Sequence, residues 1–131
     1  MPRRAVFTPA APNPVGPYGQ AVVAGELVFT VGVVGNDPAT STLVEGGVRA
    51  ELHQALTNLG VILEAAGSGF DQLIKVTAFV ADISDQRIVL DGLADRLLSP
   101  VAVTVIAVEG MPLGAAVEVE CVAAVAPAHP S

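Results

Sequence analysis

Few side chains in this sequence could do chemistry, and two glutamates near its end are the most suggestive. Glu118 and Glu120 are separated by one residue within the apolar segment 115–125. Because alternate residues of a strand point to the same face, their carboxylates should share a face and Cys121 should point to the other. Such a pair can supply a general acid or base, or it can form an exposed polar stripe.

The other candidate residues form no recognisable catalytic or metal-binding arrangement. His53, His129 and Cys121 lack the spacing of metal ligands, so we expect no metal site. No motif indicates a Ser-His-Asp or Cys-His arrangement. We expect His53 on a helix surface and Cys121 as a buried, inert thiol. A single cysteine also excludes an internal disulfide.

The composition favours a single domain with an apolar surface that is buried by association with other subunits. The 131 residues are 52% hydrophobic and 15% charged, whereas soluble domains average roughly 45–50% apolar and 25% charged. No apolar run reaches the roughly 18 residues of a membrane span. The excess fits burial between subunits, because obligate interfaces resemble a domain core cut in half.

Charge argues against nucleic acid as a partner. The formal net charge is −7, and the six Lys and Arg residues form no run. Affinity for phosphate backbones comes mainly from such residues. The N-terminus has two arginines, but four prolines between positions 9 and 17 replace the apolar stretch of a signal peptide. We therefore expect a cytoplasmic protein.

The hydrophobic pattern predicts an α+β fold with two helices on one face of a mixed sheet. Residues 9–19 are rich in Pro and Gly and predict a stiff loop. We expect one domain over residues 1–131, ordered from about 7 to 125, with a frayed tail at 126–131. The predicted elements are a hairpin over 22–32, a helix over 47–66, a strand over 73–80, a helix over 85–98 capped by Ser84, and strands over 101–108 and 115–125.

Three segments, in order, resemble one family. Gly16-Pro17-Tyr18-Gly19-Gln20-Ala21 is similar to G-P-Y-S-Q-A, and residues 75–82, KVTAFVAD, are similar to K-V-T-V-F-L-T-D. Residues 111–120, MPLGAAVEVE, are similar to L-P-K-G-A-L-V-E-I-E. The sequence thus resembles the Rid family, also called YjgF-like, from about residue 7 to residue 125.

The resemblance implies a fold, an assembly and an activity. The fold is chorismate-mutase-like, and three subunits pack their sheets into a central barrel with the helices outside. Three ligand pockets lie between the subunits. The best-known activity of the family is the hydrolysis of enamines and imines to keto acids and ammonia, without a metal or organic cofactor.

The resemblance also implies site residues. Tyr18 matches the pocket tyrosine of the family, and Glu120 matches the glutamate that helps to orient the attacking water, so we assign both to the catalytic site. We expect Glu118 to be structural. Val31 and Gly32 correspond to the serine and glycine of a V-S-G-Q segment and are expected to line the pocket.

Other pocket positions depart from the family pattern. The arginine that holds a substrate carboxylate falls on Ala102, Val103 or Thr104, and counting back from Pro112 favours Val103. The asparagine of the second helix falls on Leu90. No Lys or Arg follows Arg96, and whether Arg96 reaches the pocket stays open. We expect a mostly apolar cleft lined by Tyr18, Val31, Leu90, Val103 and Glu120.

Two functions remain open on this basis. One is an imine or enamine hydrolase with an altered substrate range. The alternative is a trimer that binds a neutral or apolar small molecule without turnover. A ribonuclease is disfavoured by the acidic charge. The sequence names neither the ligand nor a role for the C-terminal tail.

Overall fold

Seven strands and two helices make up the fold in the computed structural model, which describes residues 2–14 and 16–126. Strands formed by β-branched and apolar residues alternate with two amphipathic helices. The elements are β1 (Arg3–Val6), β2 (Ala21–Ala24), β3 (Leu27–Thr30), β4 (Val33–Val34), α1 (Val48–Ala65), β5 (Leu73–Val80), α2 (Gln86–Ala94), β6 (Ala102–Ala107) and β7 (Val117–Ala124).

All seven strands belong to one mixed sheet. The order is β1-β2-β3-β7-β5-β6, and β4 also pairs with β7, beyond the end of β3. Every pairing is antiparallel except that of β5 with β6. Parallel neighbours need a crossover connection, and α2 provides it here. The predicted fold class, α+β with a mixed sheet and two helices on one face, is confirmed.

The two faces of the sheet differ in their burial. Val76, Val80, Val117 and Val119 point to the helix side and are almost completely buried. The opposite face carries no helix, and its apolar side chains stay partly accessible, with Phe29 46% exposed. We call this second face the open face; it also carries Leu27, Phe79, Ile106, Glu118 and Glu120.

Helix α1 ends in a glycine-based cap. Gly67 has a φ of 84°, which glycine adopts without strain. The N–H of Gly67 donates to the carbonyl of Glu64 at 3.0 Å, and the N–H of Ser68 donates to that of Leu63 at 2.8 Å. This pair of hydrogen bonds is a Schellman motif. It ends the helix within one residue of the predicted range 47–66.

Helix α2 differs from its prediction at both ends. Asp82 caps a 3₁₀ turn over Ile83–Asp85 just before the helix: its side chain accepts hydrogen bonds from the Ser84 N–H at 2.9 Å and the Ser84 hydroxyl at 2.8 Å. These bonds lower the pKa of Asp82. Helix α2 itself begins at Gln86, and its N-cap residue Asp85 makes no side-chain capping bond, so Ser84 is not the cap. The helix ends at Ala94 rather than residue 98. Asp91 and Asp95 lie at that end, where the helix dipole disfavours negative charge.

The remaining predicted elements are close to those observed. The strand over 73–80 agrees at both ends, and β6 and β7 lie inside the predicted ranges. Two short strands, β1 and β4, were not predicted, and the ordered part of the chain begins before residue 7. Within the described residues no helix is long and apolar enough to cross a membrane. Residues 127–131 of the predicted tail lie outside the described part.

Candidate functional site

A cavity of about 230 Å³ opens beside the junction of β3 and β4. Three irregular segments surround it: the Pro-rich loop before β2, the chain between β3 and β4, and the turn before β7. Its walls are Pro12, Asn13, Pro14, Tyr18, Gln20, Val31, Gly32, Val33, Val34, Asn36, Ser41, Ile62, Pro112, Leu113 and Glu118. The cavity is mostly apolar and contains one carboxylate.

A buried glutamine holds the Pro-rich loop in place. Gln20 is 2% exposed. Its amide oxygen accepts from the Thr8 N–H at 2.6 Å, and its amide nitrogen donates to the carbonyls of Thr8 at 3.1 Å and Pro12 at 2.8 Å. Prolines have no N–H, so this loop cannot satisfy its carbonyls by pairing with itself. The side chain of Gln20 therefore sets the position of this cavity wall.

Tyr18 lies at the mouth of the cavity. Its side chain is 44% exposed, and its N–H donates to the carbonyl of Gly16 at 2.8 Å. The ring lies directly against Gly16, since a side chain there would come within 2.5 Å of a ring carbon. The ring thus forms one wall, and its hydroxyl is a group that can hydrogen-bond a ligand.

An extra residue between β3 and β4 directs Glu118 into the cavity. β3 last pairs Phe29 with Val122, and β4 first pairs Val33 with Val119. Three residues of one strand therefore lie opposite two of β7, as in a β-bulge. Here the N–H of Cys121 donates to the hydroxyl of Thr30 at 3.0 Å.

Gly32 makes room for the carboxyl group of Glu118. A side chain at Gly32 would come within 2.8 Å of Glu118 Cδ. Burial raises the pKa of Glu118, and the neighbouring charge of Glu120 raises it further. A carboxylate in an apolar wall loses hydration, which disfavours its charged form.

The two glutamates differ in their position relative to this cavity. The family resemblance implies the pocket role for Glu120, and a structural role is expected for Glu118. Both side chains lie on the open face, but Glu118 lines the cavity and Glu120 lies one strand repeat further along β7, outside it. Alternation alone could not separate them, because residues two apart share a face. The bulge and Gly32 decide which one enters the cavity.

The predicted pocket residues fall into two groups within one chain. Tyr18, Val31 and Gly32 line the cavity, and Leu90 and Val103 do not. Val103 pairs in parallel register with the fully buried Val76, so it faces the helices, opposite to Glu118. Val103 and Leu90 can therefore meet this cavity only from a second copy of the chain, and their place in an interface cleft stays a prediction.

Arg96 has partners away from the cavity. Its guanidinium donates to the Thr57 hydroxyl at 3.1 Å and lies 5.9 Å from the centre of the Phe70 ring. A further contact joins it to the His53 carbonyl at 3.4 Å. These contacts attach the end of α2 to α1, so Arg96 supplies no cation to the cavity of its own chain.

The expectations for Cys121 and His53 are confirmed. Cys121 is buried, and burial raises the pKa of its thiol to about 12, so it stays protonated at neutral pH. His53 is exposed on α1. Within residues 2–14 and 16–126, no three His, Cys, Asp or Glu side chains lie close enough to hold a metal ion. His129 falls outside the described residues.

Asn58 is a supporting residue that sequence reasoning missed. It is 1% exposed on α1. Its amide donates to the carbonyls of Val34 at 3.2 Å and Asn36 at 2.8 Å, which belong to the cavity wall, and accepts from Gln54 at 2.9 Å. A polar residue among the apolar positions of a helix was the available signal, because buried amides need partners.

Comparison with known proteins covers nearly the whole chain. The family described as endoribonuclease L-PSP matches residues 8–125. A 2-iminobutanoate/2-iminopropanoate deaminase of Capra hircus is 41% identical over 126 residues, which are 95% of this chain and 92% of that one. The chain belongs to the Rid family. The Homo sapiens deaminase of the same name is 39% identical over 122 residues, which are 92% of this Rid chain and 89% of its own length.

Solved structures show the same fold. The YjgF gene product of E. coli superposes with a TM-score of 0.85 at 29% identity, covering 92% of this Rid chain and 98% of its own. The resemblance inferred from three short segments is therefore confirmed over the whole domain. The arrangement of two helices against one sheet face is a property that this Rid chain shares with that protein.

Proposed function

We propose that this Rid chain hydrolyses imines to carbonyl compounds and ammonia, with Glu118 as the general base and Tyr18 as a binding group. The observation that carries the proposal is the placement of Glu118 in an apolar cavity beside Tyr18. The whole-length similarity to imine deaminases supports it. A carboxyl group whose pKa is raised toward neutrality is better suited to proton transfer than an ordinary one.

The reaction uses water and the side chain of Glu118. The Glu118 carboxylate accepts a proton from water while the water oxygen bonds to the carbon of the protonated imine; the π electrons move to nitrogen, giving a neutral carbinolamine. Glu118 then returns this proton to the amino nitrogen. The C–N bond breaks and ammonia leaves as the hydroxyl oxygen forms the carbonyl and gives its proton to the Glu118 carboxylate, which releases it to solvent. The Tyr18 hydroxyl is placed to hydrogen-bond the substrate at the cavity mouth.

A trimer is part of the proposal. The open face carries Phe29 and Ile106, which are 46% and 43% exposed. Large apolar patches on a folded chain commonly mark protein interfaces. Packing three such faces together would form the barrel implied by the family. The neighbouring copy would then bring Leu90 of its α2 and Val103 of its β6 toward the cavity.

Capture of a neutral ligand without turnover is the second candidate. It is favoured by one observation, the absence of any Lys or Arg among the residues that line the cavity within the described chain. Neither candidate involves nucleic acid, since the net charge of −7 repels phosphate backbones.

A coupled assay separates the two candidates. Imines are generated in situ by an amine or amino-acid oxidase, and carbonyl release is followed above the enzyme-free rate. Loss of a general base typically costs about 10²- to 10⁴-fold in rate, so Glu118→Gln should lower kcat by that range, whereas Glu120→Gln should retain most of it. No rate above background with the unaltered protein would favour the binding candidate. Loss of activity in Glu120→Gln alone would reinstate Glu120.

A further inference from the structure

In the described part of the chain, the cavity is lined by a negatively charged side chain and by no positively charged one. Glu118 is the only Asp, Glu, Lys, Arg or His among the residues that line it in the described part of the chain. A ligand in this cavity therefore meets one carboxylate and no cation of the same chain.

All six Lys and Arg residues of the chain lie elsewhere. Four have partners of their own: Arg4 the carbonyl of Ala66, Lys75 the hydroxyl of Thr104, Arg87 the carboxylate of Asp91, and Arg96 the hydroxyl of Thr57. Arg3 and Arg49 are exposed on β1 and α1. None of the six is a wall residue of the cavity.

The edge strand of a second copy would bring no cation to the cavity. The exposed edge strand β6, which spans Ala102–Ala107, contains no Lys or Arg. Each added chain also brings a formal charge of −7. The surrounding field therefore repels anions and attracts cations.

The cavity walls limit the size and polarity of the group that a ligand can place inside the cavity. Val31, Val33, Ile62 and Leu113 give the cavity an aliphatic lining. Its volume of about 230 Å³ corresponds to roughly seven or eight non-hydrogen atoms, at about 30 Å³ for each water-sized volume. A short branched alkyl group attached to the reacting carbon fits these limits.

We propose that the site acts on protonated imines that bear a short apolar substituent and no carboxylate. Such iminium ions form when an oxidase transfers two electrons from a primary amine to dioxygen. The inference rests on the proposed hydrolase function and names its substrate class. It separates this chain from an enzyme for imines of α-amino acids, which carry a carboxylate on the reacting carbon.

The physical basis of this substrate preference is the sign of the charge beside the reacting group. An iminium ion places a positive charge next to the Glu118 carboxylate, which stabilises both ions. An imine of an amino acid adds a second carboxylate to a cavity that has no cation to pair with it, and two close carboxylates disfavour each other's ionised form. The same carboxylate that accepts the proton of water thus also selects the substrate.

Binding of stable mimics tests the charge preference without turnover. Isobutyramidinium is a planar cation with an isopropyl group, and 3-methyl-2-oxobutanoate carries the same group with a carboxylate. Calorimetry with the intact protein should give at least tenfold tighter binding of the amidinium. Glu118→Gln should remove most of this difference, whereas Glu64→Gln, the same charge change on the exposed side of α1, should preserve it. Equal or tighter binding of the oxo acid would overturn the proposal.

Turnover of a matched pair of imines completes the test. Isobutylamine with an amine oxidase and valine with an amino-acid oxidase yield imines that share the isopropyl group and differ in the carboxylate. We expect kcat/KM at least tenfold higher for the imine of isobutylamine. A preference for the imine of valine would refute the substrate class and leave the hydrolase intact. Hydrolysis of neither imine would refute the hydrolase itself and the substrate class with it.

Discussion

At the scale of single residues, Glu118 couples the proposed chemistry to stability. Burial and the charge of Glu120 raise its pKa above the usual glutamate value. The folded state therefore binds the proton more tightly than the unfolded state does. The stability contributed by this proton is present at low pH and is lost as pH rises through the pKa of the folded state. At pH values above the pKa of the folded state, the charged Glu118 consequently weakens the fold.

The first prediction follows from this sign. Glu118→Gln should raise Tm at pH 7–8, because it removes a poorly hydrated charge. The difference from the unaltered protein should shrink as pH falls and the native glutamate becomes protonated. Thermal unfolding followed by circular dichroism across pH 4–8 measures this difference. Glu64→Gln, at an exposed helix position, should show no such trend. A constant or inverted difference for Glu118→Gln would contradict the assigned cause of the pKa shift.

Leu113 stores backbone strain at the cavity wall. Its φ of 61° lies in the left-handed region, and its side chain is 59% exposed. Strained residues of this kind cost about 1–3 kcal/mol and are often found at functional sites. Asparagine tolerates the same backbone conformation better than leucine does.

Leu113→Asn should therefore stabilise the fold by about 1 kcal/mol, because little apolar burial is lost at this exposed position. Denaturant unfolding measures the free energy directly. If Leu113 also contacts the substituent of the substrate, the same variant should weaken isobutyramidinium binding, so stability and affinity should move in opposite directions. Gly114→Ala, at a φ of 68° in the same turn, should destabilise and serves as the control. An unchanged or lower stability of Leu113→Asn would refute the strain.

At the scale of elements, a single helix residue positions the cavity wall. Asn58 of α1 donates to the carbonyls of Val34 and Asn36, and its surroundings are dry. Leucine has a similar size but cannot donate. Each buried acceptor left without a partner costs about 1–3 kcal/mol.

Asn58→Leu should therefore lower the free energy of unfolding by about 2–6 kcal/mol, the sum for two acceptors. Because the freed segment includes cavity residues, ligand affinity should fall as well. Chemical denaturation measures the loss of stability, and calorimetry with isobutyramidinium measures the loss of affinity. Gln54→Leu, which removes only the partner of the Asn58 oxygen, should cost less. An Asn58→Leu variant as stable as the unaltered protein would show that these hydrogen bonds do not hold the wall.

The elements also show what the sequence could reveal. Periodicity located α1, β5 and β7, because their apolar residues recur locally at the spacing of a helix or strand. β1 and β4 escaped prediction because neither shows a strand pattern of its own: β1 begins with two arginines and β4 has only two residues. Both owe their strand geometry to pairing with β2 and β7. The same limit explains the glutamates: the pattern showed that they share a face, whereas a bulge in a neighbouring strand selects Glu118.

At the scale of the whole molecule, the open face accounts for the high apolar content of the chain. Hydrophobic residues make up 52% of the sequence, yet the helices cover only one side of the sheet. Phe29, Phe79 and Ile106 remain on the other side. Burying this face against other copies would remove apolar area from water at roughly 25 cal/mol per Å². It would also bring the Val103 strand of one chain toward the Glu118 cavity of the next.

The last prediction concerns this assembly. Three chains of 13.2 kDa give a trimer of 39.6 kDa, the mass expected from light scattering after size exclusion. Ile106→Glu should reduce it to about that of a single chain, because burying an unpaired carboxylate in an apolar interface costs several kcal/mol. Leu98→Glu, a similar change at a residue that is 80% exposed outside the sheet, should leave the trimer intact. A trimer that survives Ile106→Glu would show that the open face is not the interface, and an unaltered chain that remains a monomer would refute the trimer.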